Sequence, residues 1–151
     1  MVIDAARALV PRLAGVRWAV SGSAALARHG IDVEPRDLDI VTTAEGAREI
    51  ARRLGGDAAF SRRGPIRGVL SRVVVEGVEV EILGDVQNLL ADGSWSSPPR
   101  LDAVESADGI PVLPLGAVEA GYRDLGRDEK ADLVAAHRHP GRPEPRGRTL
   151  R

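Results

Sequence analysis

A chain of 151 residues with 43% hydrophobic content supplies one core and leaves little for a second, so a single domain with short tails is the expected organisation. The formal net charge of -1 excludes a strong overall field that would select nucleic acid or an anionic membrane, and partners must be read from local sites. The absence of cysteine excludes disulfides, thiolate zinc sites and cysteine nucleophiles.

Val2, Ala5, Ala6, Leu9, Val10 and Leu13 recur at three- and four-residue steps. This predicts a helix over residues 2–14, limited or bent by Pro11 and packed on a sheet edge. Asp4 and Arg7 interrupt the segment, so it does not read as a signal peptide. No apolar run approaches the roughly 20 residues needed to span a bilayer; a soluble, cytoplasmic protein without membrane partners is expected. Residues 17–21 read as a strand, Gly22-Ser23 as a tight turn and residues 24–29 as a helix stopped by Gly30. Residues 37–42 alternate acid and apolar side chains and read as a second strand. Thr43 is a good N-cap for a helix over 44–54, closed by Gly55-Gly56.

The clearest hairpin runs from Val69 to Val75, turns at Glu76-Gly77 and returns with Val78, Val80 and Ile82 on one face, Glu79, Glu81 and Leu83 on the other. Residues 84–99 read as a loop with one helical turn at 86–90. Residues 101–105 and 110–113 predict an edge hairpin, with Pro111 marking its exposed side. Helices are expected from Pro114 to about residue 125 and over 128–136, the latter with Leu133 and Val134 inward. Residues 138–151 hold three prolines, two glycines and five arginines, too few apolar groups to fold. The domain is therefore placed at 1–137 and a flexible tail at 138–151.

Three local features carry chemistry. Gly22-Ser23 between strand and helix offers backbone N–H groups to an anion such as a nucleotide phosphate, or else simply turns the chain and caps a helix. Asp37 and Asp39, one residue apart on a strand, put two carboxylates on one face. Such a pair suits Mg²⁺, which takes one or two carboxylates plus phosphate oxygens and water; the plain alternative is an exposed strand end balanced by Arg36. Glu79 and Glu81 share the face of the hairpin, as a third acid or as its solvated side.

Gly22-Ser23, thirteen residues, then Asp37-Leu38-Asp39-Ile40, with a hydrophobic strand before and an acid on a later strand, resembles the motif of the nucleotidyltransferase-fold superfamily. That group includes DNA polymerase beta, aminoglycoside and lincosamide nucleotidyltransferases and the minimal nucleotidyltransferases of toxin-antitoxin operons. The resemblance covers roughly residues 16 to 136. It implies an α/β (α+β) fold, a mixed β-sheet with helices on one side and a C-terminal helical segment. It also implies Asp37, Asp39 and Glu81 as catalytic and metal-binding acids, Glu81 standing ahead of Glu79 for the third place.

The implied reaction is two-metal phosphoryl transfer with Mg²⁺ or Mn²⁺, moving a nucleoside monophosphate from NTP to a hydroxyl on a small molecule, RNA or protein. Asp37 and Asp39 would hold the metal on the triphosphate, Glu81 the second metal or the hydroxyl proton, and Gly22 and Ser23 the phosphates. Lys130, one lysine against 20 arginines, is a further candidate for the phosphates, or else an ion pair with Asp124 or Glu129; Arg127 is read the same way. His29 suits a helix end and is not assigned to metal. A catalytically inactive binding or antitoxin-like module, with a protein partner or as a homo-oligomer, is the alternative. A plain interaction domain would leave the three acids scattered in space.

Overall fold

The computed structural model describes residues 1–141. Five helices and seven strands follow one another as α1 (Val2–Arg12), β1 (Trp18–Ser21), α2 (Gly22–Arg28), β2 (Leu38–Thr42), α3 (Ala44–Leu54), β3 (Ala59–Arg63), β4 (Ile66–Val75), β5 (Val78–Asn88), β6 (Glu105–Ala107), β7 (Ile110–Val112), α4 (Leu115–Asp124) and α5 (Asp128–Arg138). The strands form one mixed sheet in the order β3-β4-β5-β2-β1-β7-β6. The fold class is the expected α/β one.

The period-2 pattern decides which face is dry. Leu38 and Ile40 on β2 and Val80 and Ile82 on β5 are fully buried on one side, facing the helical layer. Val2 and Ala6 of α1 and Ala24 of α2 line one small cavity with Leu38, and α3 presses against Gly84 of the same face. The opposite face carries Asp39 and Glu81, which lie side by side in the parallel β2–β5 register.

Helix α3 begins where Thr43 Oγ1 accepts from the Gly46 N–H at 2.9 Å and ends at Gly55 with φ 80, both as its sequence requires. A Cβ at Gly84 would stand 2.6 Å from the Ala47 Cβ and 2.9 Å from the Thr43 and Val69 carbonyl oxygens. Gly84→Ala is therefore expected to cost about 2–3 kcal/mol in urea unfolding, because backbone on two sides cannot retreat.

The structure corrects several expectations. Helix α1 ends at Arg12 and lies across β2 and β7, the strands flanking β1, rather than on a sheet edge. Residues 86–88 are strand, not a helical turn: β5 continues past Asp85 (φ 45), with Gln87 and Asn88 paired to Arg67 and Ile66 beyond a bulge. Strand β3 escapes the periodicity because its residues are mostly exposed at the open edge. In the second hairpin the Asp108-Gly109 turn, φ 54 and 79, pairs Ala107 with Ile110. The strand thus shifts to 105–107, and β6, not Pro111-bearing β7, forms the edge. Leu133 is 44% exposed, whereas Ala131 and Val134 are buried. Helix α5 runs through Arg138, and residues 142–151 of the expected tail lie outside the described residues. No helix among the described residues is long and apolar enough to cross a membrane.

Sheet curvature shapes the acidic face. Arg63 on β3 pairs with Ile66, six residues along β4 from Arg72, about 20 Å in a flat strand. Both arginines nonetheless reach the same oxygen of Glu81. The β3–β4 hairpin must therefore curl over the acids. Gly68 allows this: a Cβ there would meet the Gly84 carbonyl oxygen at 2.6 Å and the Val86 Cα at 3.1 Å, next to the bulge between Arg67 and Val69.

Candidate active site

Asp39 sits at the centre, with Ser21 of β1 opposite it on one side and Glu81 of β5 on the other. The chain turns from β1 into α2 at Gly22 with φ 61, and a Cβ there would stand 2.7 Å from Asp39 Oδ2. Only glycine leaves that carboxylate its place. Burial pushes the Asp39 carboxyl up to about 6, and the charges of Glu81 and Asp37 add to the effect. Asp37, exposed just before β2, is thus close enough to be felt by Asp39.

The neighbourhood of Glu81 is cationic. Burial works to raise its carboxyl, but hydrogen bonds from Arg72 and Arg63 outweigh that and hold it below the usual range. Arg63 donates to Oε1 at 2.5 Å and Arg72 to the same atom at 2.6 Å. Glu79, the other acid of this face, pairs with Arg72 Nε at 3.0 Å. Glu81 rather than Glu79 is the one in register with Asp39.

On the β1 side, Lys130 Nζ donates to Ser23 Oγ at 3.0 Å, linking α5 to the start of α2. Burial and then Arg127 lower the lysine's pKa, against the pull of Asp39. Tyr122, the only tyrosine, interacts with the Ser23 hydroxyl, and its ring carries Arg127 at 5.3 Å and Lys130 at 5.6 Å from the centroid. The acidic face around Asp39 and Glu81 therefore has cations on both sides. Sequence reasoning missed Tyr122, Arg63 and Arg72. His29 Nε2 lies 2.8 Å from the Leu113 carbonyl oxygen, a hydrogen bond that ties the residue capping α2 to the one that follows β7.

The fold has counterparts among solved structures. A candidate nucleotidyltransferase from Thermotoga maritima matches with a TM-score of 0.73 at 34% identity, over 89% of this chain and 91% of that one. The chain belongs to the nucleotidyltransferase superfamily. More distant matches include JHP933 from Helicobacter pylori, with a TM-score of 0.48 and 15% identity over 92% of this chain and 66% of that one. The antibiotic-resistance factor ANT(2'')-Ia has a TM-score of 0.47 and 15% identity over 91% of this chain and 93% of that one. No protein-family model and no curated protein matches the chain.

The acids of this face suit a cation that brings most of its own ligands. Among the described residues no group of three His, Cys, Asp or Glu side chains is arranged to hold a metal ion by itself, and Glu81 Oε1 is taken by two guanidiniums. Mg²⁺, however, needs only one or two carboxylates when substrate phosphates supply the rest. Asp39, ionised against burial and two like charges, fits a cation that arrives with a triphosphate.

Proposed function

We propose that the protein transfers a nucleoside monophosphate from NTP to a hydroxyl acceptor, in one catalytic domain over residues 1–137. The observation that carries this reading is the position of Asp39, so close to Gly22 on one side that a Cβ there would stand 2.7 Å from its Oδ2, and in register with Glu81 on the other, while Ser23, the residue after that glycine, accepts from Lys130. Ser23, Lys130 and Arg127 bind the triphosphate, whose charge answers theirs. Asp37 and Asp39 would hold Mg²⁺ or Mn²⁺ with it. The bound ion supplies charge neutralisation on the phosphates.

In the reaction the acceptor oxygen attacks the α-phosphorus, the bond from that phosphorus to the bridging oxygen breaks and pyrophosphate leaves with its electron pair. The hydroxyl proton passes to the carboxylate oxygens of the Asp39–Glu81 pair. Catalysis is chiefly positioning and charge stabilisation by the chain's own groups.

The arginine grip on Glu81 favours one second reading, a binding or antitoxin-like module that holds NTP without transferring it. Calorimetric titration with each NTP and Mg²⁺, followed by incubation of α-phosphate-labelled NTP with cell extract, separates the two. Label on a small molecule, RNA or protein supports transfer, binding without label supports the module, and no binding overturns both. Lys130→Met is expected to weaken NTP affinity about tenfold, the worth of one charge-assisted contact to phosphate, with an unchanged melting temperature as the control.

A further inference from the structure

Given the proposed transfer, on which this inference rests, the acceptor side of the cleft has its own chemistry. Ser23, Tyr122 and Lys130 stand on the β1 side of Asp39, whereas Arg63 and Arg72 stand on the β3–β4 side of Glu81. In-line displacement requires the attacking hydroxyl to enter opposite the departing pyrophosphate. With the triphosphate on the first bank, the acceptor comes over the second.

The groups it meets there are two guanidiniums, with side chains 36% and 53% exposed against 20% for the Glu81 they hold. Arg72 is shared between Glu81 and Glu79. The two guanidiniums converge on a single oxygen of Glu81, and the second arrives only because the hairpin curls and brings Arg63 back from the far end of β3. Planar guanidinium forks match phosphate oxygens in pairs, and a phosphate here competes with the carboxylates of Glu81 and, at Arg72, Glu79.

We propose that Arg63 and Arg72 form the acceptor subsite and that the acceptor bears a phosphate near the hydroxyl that attacks. On binding, the phosphate shares or replaces Glu81 Oε1 as partner of the two arginines, leaving Glu81 beside Asp39 on the floor of the cleft. A phosphorylated sugar and an oligonucleotide end offer the same group, and size distinguishes them.

The test is calorimetric and needs no turnover. Protein saturated with Mg²⁺ and the α,β-methylene analogue of ATP is titrated with ribose, ribose 5-phosphate, hexauridylate and glucosamine. A phosphate-bearing probe should bind at least tenfold more tightly than ribose, the better of the two naming the source, and glucosamine should bind no better than ribose. Arg63→Gln and Arg72→Gln should each lose at least fivefold of that preference while the analogue's affinity stays within twofold. Arg62→Gln, which removes the guanidinium lying over Trp95 at 5.1 Å, should change neither.

Equal binding of phosphorylated and plain probes, tighter binding of glucosamine, or a preference that survives both substitutions overturns the subsite. Failure of the analogue to bind sinks the nucleotide reading instead; the same probes are then titrated into the protein alone and judged by the same criterion.

Discussion

Asp39→Asn is expected to give a protein more resistant to urea than the parent at pH 8 yet without transfer activity. The Asp39 carboxyl stands at about 6 against an ordinary 3.8, so the folded chain binds this proton more tightly than the unfolded one. Stability therefore falls as pH rises from about 4 to about 6, and the full cost of the buried charge is present above that range. At about 1.4 kcal/mol per unit the cost reaches up to about 3 kcal/mol, and an amide removes it. Under the proposed function the same change removes a cation ligand and should lower transfer at least about a hundredfold. Urea melts at pH 4 and pH 8 check the first half, since the advantage of the variant should shrink at the lower pH. Melts with Mg²⁺ and NTP check the second: the ligand should stabilise the parent and not the variant. A variant weaker than the parent at pH 8 would show that the site is not strained by its own charge.

Gly22→Ala is the second large effect. At φ 61 an L side chain is strained, and its Cβ would stand 2.7 Å from Asp39 Oδ2, so either the carboxylate or the β1–α2 turn must move. The backbone part is expected to cost about 1–2 kcal/mol, and displacement of the acid should abolish NTP binding. Gly15→Ala isolates the two contributions: Gly15 has φ 82, but a Cβ added there would meet nothing within 4 Å. It should cost comparable stability and leave nucleotide affinity intact. Equal affinities for the Gly22 variant and the parent would remove the glycine from the site.

Much of the floor of this site was legible in the sequence, and the reasons are local. Alternation in residues 37–42 and in the long hairpin identifies two strands and their wet and dry faces. The Glu76-Gly77 turn even fixes Arg72 opposite Glu81, a consequence that counting back from the turn would have supplied. Arg63 was beyond reach, because its contact depends on a curl created by Gly68, Gly84 and a bulge, and 20 arginines hide any single one. Tyr122 was missed for a related reason: its meeting with Ser23 depends on where α4 docks, which no period records. Residues 84–88 look like loop because they are polar and begin at a glycine, whereas β4 supplies the ladder partners that hold them extended. Leu133 was placed inward by hydrophobicity alone, but Ala131 and Val134 take the core-facing stripe.

The parallel pairing of β2 with β5 has a kinetic meaning. A hairpin closed by two residues zips early, since its ends are already neighbours, whereas two parallel strands separated by a helix and two further strands meet only after a long loop has closed. Asp39 and Glu81 come from those two strands, so their mutual repulsion arises only once that loop has closed. Under the proposed function, capture of a divalent ion with nucleotide during refolding would then report the closure of that loop, lagging behind the far-ultraviolet signal of the local hairpin and helices.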